Sequence, residues 1–247
     1  MVLPPVGQWL VEGENNMCVL SHAFGTNNIR LAVRPWPLGY QVDLVLIQPG
    51  QGNDFSEGTA TVSLGASGPQ IKANAAGYAI KNQPAHLTQF TLSRVSLAQV
   101  AAAPSITIAL GKHEPMTFNL PDRVKAFAVL DKCQKLLLKS LGIESTAVAQ
   151  IVSPPVPKGD TRDWFGGDIY PSSSLINGTQ GNTSVLLTIT AKGRVEKCDP
   201  FGHSGDPTLD LQTCATYKRH GVFIPARNKD GRPVIGYFSA TTRWRIW

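Results

Sequence analysis

Through the first half of the chain, apolar and polar residues alternate in short runs: 17–24, 29–33, 41–47, 59–64, 105–110 and 116–120. Successive side chains of a strand point to opposite faces, so a period of two predicts strands with one face buried. Clusters of Gly, Pro and Asn separate the runs, among them Pro35-Trp36-Pro37, Pro49-Gly50-Gln51-Gly52-Asn53 and Gly65-Ala66-Ser67-Gly68-Pro69. Short strands between such turns predict an antiparallel sandwich or barrel. Residues 81–103 are ambiguous, with 87–92 a weaker strand.

After residue 120 the period lengthens. Phe127, Leu130, Cys133, Leu137 and Leu141 recur at helical spacing. Asp122 is suited to cap the start and Gly142 to stop the run. Cys133 lies on the apolar stripe and faces the core, and Cys18 sits in an early strand that this helix can cover.

Pro154, Pro155 and Pro157 interrupt the segment 151–160. Proline lacks the N–H that a ladder or helix interior needs and favours extended polyproline II, so this stretch reads as a linker. The predicted organisation is a β-rich domain over 1–150 with one packing helix, a linker over 151–164 and a smaller domain over 165–247. In the latter a helix is expected to start within 170–176. Residues 184–190 alternate, with Val185, Leu187 and Ile189 on one face. Gly193 suits the turn to a second strand, 195–198. Asp206 and Pro207 open a helix reaching about 219, with Leu211, Cys214, Ala215 and Lys218 on a shared face. A last strand puts Phe238, Ala240, Thr242, Trp244 and Ile246 on one side and Tyr237, Thr241, Arg243, Arg245 and Trp247 on the other. The fold class is α+β, the second domain having helices on an antiparallel three-stranded sheet.

Composition narrows the function. Hydrophobic residues make up 42% of the 247, enough for real cores, and charged residues only 16%. The net charge of +6 is spread, with 11 basic and 9 acidic groups over 1–153 and 12 and 8 over 154–247. No dense Lys/Arg block stands in either half, which speaks against nucleic-acid binding. No apolar run has the length of a membrane span. The first residues, Met1-Val2-Leu3-Pro4-Pro5, lack the charged and apolar regions of a signal peptide, so an exported protein is expected to have had its signal removed.

Cys18, Cys133, Cys198 and Cys214 form no CxxC pair, which argues against a zinc site. Four cysteines allow three pairings. A two-domain division favours Cys18–Cys133 and Cys198–Cys214, while four buried thiols in a reducing compartment stand as the alternative.

Catalytic chemistry finds little footing. Gly202-His203-Ser204-Gly205-Asp206 resembles a protease nucleophile loop, but none of His22, His86, His113 and His220 has the context of a general base. Ser204 and Gly205 are accounted for as a strand-to-helix turn. His203, Asp206 and Asp210 could form a metal site, since 206 and 210 share a helix face, but Asp206 is more simply a cap. There is no phosphate or dinucleotide fingerprint, so no cofactor and no metal are expected. The sequons at Asn177 and Asn182 read as turn residues.

Tyr170-Pro171, Gly181 before a strand, Gly193-Arg194-Val195 after it, and the helix leading to Phe223-Ile224-Pro225 together resemble the C-terminal domain of the energy transducer TonB. Cys198, Ser204-Gly205, Leu209-Asp210, Thr213-Cys214, Pro225-Ala226, Gly231-Arg232-Pro233-Val234 and Trp244 are similar to an alphaproteobacterial branch of that family. The resemblance covers about 165–247. It implies a periplasmic, non-enzymatic protein-binding module with Cys198 paired to Cys214. The implied partner is an envelope protein, a TonB-dependent outer-membrane receptor among the candidates. The binding residues it points to are Tyr170, Pro171, Tyr237, Thr241, Arg243 and Arg245, because the C-terminal strand is the one that meets the receptor. Such a strand can take up a peptide by strand addition. Two departures stand beside it: no membrane helix or long Pro-rich spacer is present, and Ile169 replaces the glutamine that precedes Tyr-Pro in the best-known transducers. Residues 1–150 match N-terminal regions of the same branch only through a tryptophan, Cys18-Val19-Leu20 and Phe24-Gly25. A secreted hydrolase with a site in 1–150 and a structural envelope protein are the alternative functions.

Overall fold

The alternating segments pair into one large sheet. The computed structural model describes residues 1–14, 16–38, 41–50, 55–80, 83–93, 95–166 and 169–246. Gln51, Gly52 and Asn53 of one expected turn, and Trp247, lie outside them. Two units are distinguished, Met1–Leu137 and Leu138–Trp247.

The first unit runs β1 (Val2–Leu3), β2 (Pro5–Glu14), β3 (Met17–Phe24), β4 (Ile29–Pro35), β5 (Gln41–Pro49), β6 (Phe55–Leu64), β7 (Gln70–Ala79), β8 (Ala85–Ser93), α1 (Leu97–Ala102), β9 (Ser105–Leu110), β10 (Met116–Asn119) and α2 (Arg123–Ser140). The strand order is β1-β10-β9-β6-β7-β8-β5-β4-β3-β2. Only β1 with β10 is parallel. Pro4 alone separates β1 from β2, so the first stretch of chain pairs with β10 at its start and with β3 beyond. It ties the two edges of the sheet together as in a barrel, and closure removes the exposed edges that invite aggregation. Leu20, Phe24, Leu31, Leu44, Phe90, Ile106 and Phe118 fill the interior.

Three strands of the first unit, β1, β2 and β7, have no counterpart in the expected set. In β7, inward positions are taken by Ala73 and Ala75, which are buried but too small to mark an apolar face. In β2 the pairing with β3 shifts between Val6 and Leu10, breaking the period. The single packing helix is also corrected to two, because Ser96 and Gln99 form a capping box that opens α1 inside the ambiguous stretch. Helix α2 buries Ala126, Phe127, Leu130 and Gln134. Asp122 precedes it at φ 47°, its carbonyl accepting from the amides of Lys125 and Ala126. Cys133 is bonded to Cys18 with Cα atoms 6.1 Å apart.

The second unit contains α3 (Ser145–Ala149), β11 (Val156–Pro157), a 3-10 turn (Thr161–Phe165), α4 (Ser172–Ile176), β12 (Gly181–Ile189), β13 (Val195–Gly202), α5 (Pro207–His220), β14 (Phe223–Ile224), β15 (Ala226–Arg227), β16 (Pro233–Val234) and β17 (Gly236–Trp244). The main sheet is antiparallel in the order β13-β12-β17. Gly193 makes the β12–β13 turn at φ 75°, and a Cβ there would lie 2.0 Å from the Phe223 carbonyl oxygen. The Pro-rich segment does join a ladder: β11 pairs with β14, and Ser153 bridges to Arg227. Prolines tolerate such a two-residue edge because few amides are asked to donate. Just after it, Trp164 is buried against Tyr217 and Phe223.

Candidate functional site

One face of the three-stranded sheet packs on α5. Val185, Leu187 and Ile189 of β12 are buried with Tyr217, Phe223 and Trp164, and Phe238 and Ala240 of β17 join them. Trp244 closes the far end. Its indole N–H donates to Thr213 Oγ1 at 3.0 Å, and the Thr213 hydroxyl donates to the Leu209 carbonyl at 2.9 Å. The Tyr170 ring stands edge-on to Trp244 with centroids 5.1 Å apart, and its hydroxyl donates to the Thr179 carbonyl. Burial raises the Tyr170 pKa; Arg245 opposes the rise and Asp206 adds to it. Pro171 occupies the cap position of α4. Arg245 turns inward, donating to the Gly181 carbonyl at 3.1 Å and to Asn182 Oδ1 at 3.0 Å.

The buried face of α5 differs from the expected one. Leu209, Thr213, Thr216 and Tyr217 are buried, whereas Leu211 is 73% exposed. Hydropathy selects Leu211 over Thr213, but the threonine has two hydrogen bonds to make inside and the leucine has none. Asp206 caps the helix by accepting from the Thr208 amide at 2.8 Å. A hydrogen bond from the Ser174 hydroxyl, then that from Thr208, holds its carboxyl below the ordinary range.

Asp210 ties the first turn of α5 to the sheet. It is 8% exposed and accepts from the Ser204 amide at 3.0 Å, the Thr183 hydroxyl at 2.7 Å and the Ser204 hydroxyl at 2.8 Å, with His203 Nδ1 at 2.9 Å. Burial alone would raise its pKa, but these hydrogen bonds outweigh it and the net shift is downward. The Ser204 hydroxyl has the Asp206 carbonyl at 2.9 Å and Asp210 at 2.8 Å as its acceptors, and the carboxylate stands between it and His203. A nucleophile relay needs the opposite order. The grouping holds a helix start.

On the other face of the sheet, Leu186 and Tyr237 are buried, and Lys197 Nζ donates to the Leu141 carbonyl at 3.0 Å. The chain after α2 therefore lies on this face. Of the expected binding residues, Thr241 and Arg243 are exposed, Thr241 sharing a hydrogen bond with Ser184. Tyr237 is not presented to solvent.

The two edges of the sheet differ. Strand β13 carries Pro200, its pairing with β12 shifts register twice, and Glu196, Lys197 and Asp199 stand along it. Proline, bulges and charge are the devices that blunt an edge. Strand β17 has none of the first two: its nine residues, 236–244, pair with β12 in unbroken register. Its other side closes no ladder among the described residues. Cys198 of β13 is bonded to Cys214 of α5, Cα atoms 5.7 Å apart, which fixes the helix to the blunted edge.

Residues 168–246 match the family described as Gram-negative bacterial TonB protein C-terminal. The matched stretch lies within the second unit. The match covers about a third of the chain, and no curated protein matches the chain. TonB C-terminal domains are envelope protein-interaction domains of a non-enzymatic kind, with outer-membrane receptors among their partners. Two disulfides fit the oxidising compartment in which such domains work. Among the described residues no helix is long and apolar enough to cross a membrane. Trp164 escaped the sequence reading, and Thr213 entered it only through the family resemblance, not as a buried residue of α5. Trp164 stands in a Pro- and Gly-flanked stretch without periodicity. Thr213 had a signal only in its place four residues after Leu209 and four before Tyr217, and that spacing is visible once the helix is granted.

Proposed function

We propose that the TonB C-terminal domain of this protein binds an envelope partner by adding an extended segment of that partner to the free edge of β17. The observation that carries this reading is the contrast between the blunted β13 and the regular β17. Strand addition draws its affinity from main-chain hydrogen bonds, which need an uninterrupted ladder, and its selectivity from alternate side chains. Thr241 and Arg243 alternate on the exposed face, so the added strand would be read there, with an acidic residue favoured opposite Arg243. Tyr170, packed on Trp244, and Arg245, bonded to the start of β12, support the reading as the groups that hold the end of β17 rigid. A TonB-dependent outer-membrane receptor is the partner class the family favours.

The test uses the intact protein in a Gram-negative host, with a photo-reactive amino acid placed at Thr241, at Arg243, or at the exposed Leu211 of α5. Adducts from the first two positions, mapping to one extended segment of one envelope protein and absent from 211, are expected. Adducts from 211 alone would place the partner on the helix and end the strand-addition reading.

A further inference from the structure

We propose that the first unit holds a small-molecule site between β2 and the start of α2. Its ligand is a compact neutral molecule with an apolar or aromatic body and one hydroxyl or N–H donor. The site begins with the irregularity in β2. Val6 pairs with Ala23 and Leu10 with Ser21, so β2 spends four residues where β3 spends two. Gly7, at φ 80°, permits the bulge. Bulges re-aim side chains, and this one turns Trp9 toward the helix, where its indole N–H donates to the Pro121 carbonyl at 2.6 Å. The result is a cavity of about 560 Å³ walled by Trp9, Val11, Pro121 and Val129, with His22 lining it. That volume suits a small organic ligand, and a mostly apolar wall with few polar groups is the usual lining.

His22 supplies the polar group. It alternates with Cys18, Leu20 and Phe24 on the inner side of β3 and is only 1% exposed. Its ring stands against Trp9, centroids 4.7 Å apart, and Phe24, 5.0 Å apart. Nδ1 lies 2.7 Å from the Ala23 carbonyl oxygen. A carbonyl can only accept, so Nδ1 carries the hydrogen, and in the neutral ring Nε2 presents a lone pair. Nε2 has no partner among the described residues. A lone pair on the wall of the cavity favours a ligand that brings a donor to it. Asp122 and Lys125, both exposed and of opposite sign, border the cavity, so the rim selects neither anion nor cation.

The test is an NMR titration of the intact protein with phenol, reading the Trp9 indole and the His22 ring nitrogens, beside anisole and benzoate. Saturable phenol shifts at both residues are expected. Anisole, which keeps the body and lacks the donor, should bind roughly tenfold more weakly, the worth of one hydrogen bond. Val129 is 53% exposed, so Val129→Trp can fill the mouth without disturbing the core, and it should abolish the phenol shifts. Equal binding of phenol and anisole, or phenol shifts that survive Val129→Trp, would overturn the site. Tighter binding of benzoate, lost in Lys125→Ala, would overturn the neutral ligand in favour of a carboxylate.

Discussion

Asp210 carries more of the second unit than its charge suggests. Three neutral donors and the His203 imidazole converge on one buried carboxylate, so Asp210→Asn should cost about 2–3 kcal/mol in urea unfolding at pH 7. Its pKa is depressed on folding. The stabilisation is therefore complete above the ordinary value of 3.8 and is lost as pH falls through the folded-state value below it. The gap between wild type and Asp210→Asn should narrow progressively as pH falls below 3.8; a gap that stays constant through acidification would refute the assignment. Thr213→Val keeps the shape but strands the Trp244 indole N–H, at a cost of about 1–2 kcal/mol. Leu211→Lys should stay within about 0.5 kcal/mol, as its side chain is in solvent. At this scale the sequence was legible where a residue acts locally, as Asp206 and Gly193 do. It misled where hydrogen bonding to a distant element decides burial, as at Thr213.

Among the elements, alternation identified β3 and β9 to the residue, since large side chains fill their inner faces. It lost β7, whose inner face is alanine, and the break in β2. The segment 151–164 was hardest. A two-residue pairing with β14 and one buried tryptophan leave no periodic trace, yet they bind that segment to the second unit. The Cys198–Cys214 bridge, by contrast, was favoured by the two-domain division and implied by the family resemblance, and the two cysteines are bonded. It closes a separation of 16 residues, so replacing both cysteines by serine should lower stability by about 3 kcal/mol. Thermal unfolding of wild type and of the double serine variant would read the loss; equal midpoints would contradict it.

For the whole molecule, the proposed division places the boundary at the end of α2 and not in the proline segment. A fragment of residues 138–247 should then unfold cooperatively and exceed a fragment of 165–247 by at least about 3 kcal/mol, because the shorter one lacks the buried Trp164. Equal stability of the two fragments would return the boundary to the prolines. The role of the second unit rests on the free edge of β17, and amide hydrogen exchange of the intact protein tests it most directly. The measurement compares the protein alone with the protein bound to a synthetic peptide of the segment cross-linked at Thr241. New protection at alternate amides within 239–244, with β13 unchanged, is the predicted result. Protection confined to β13 or α5, with the amides of β17 exchanging as before, would contradict strand addition at this edge.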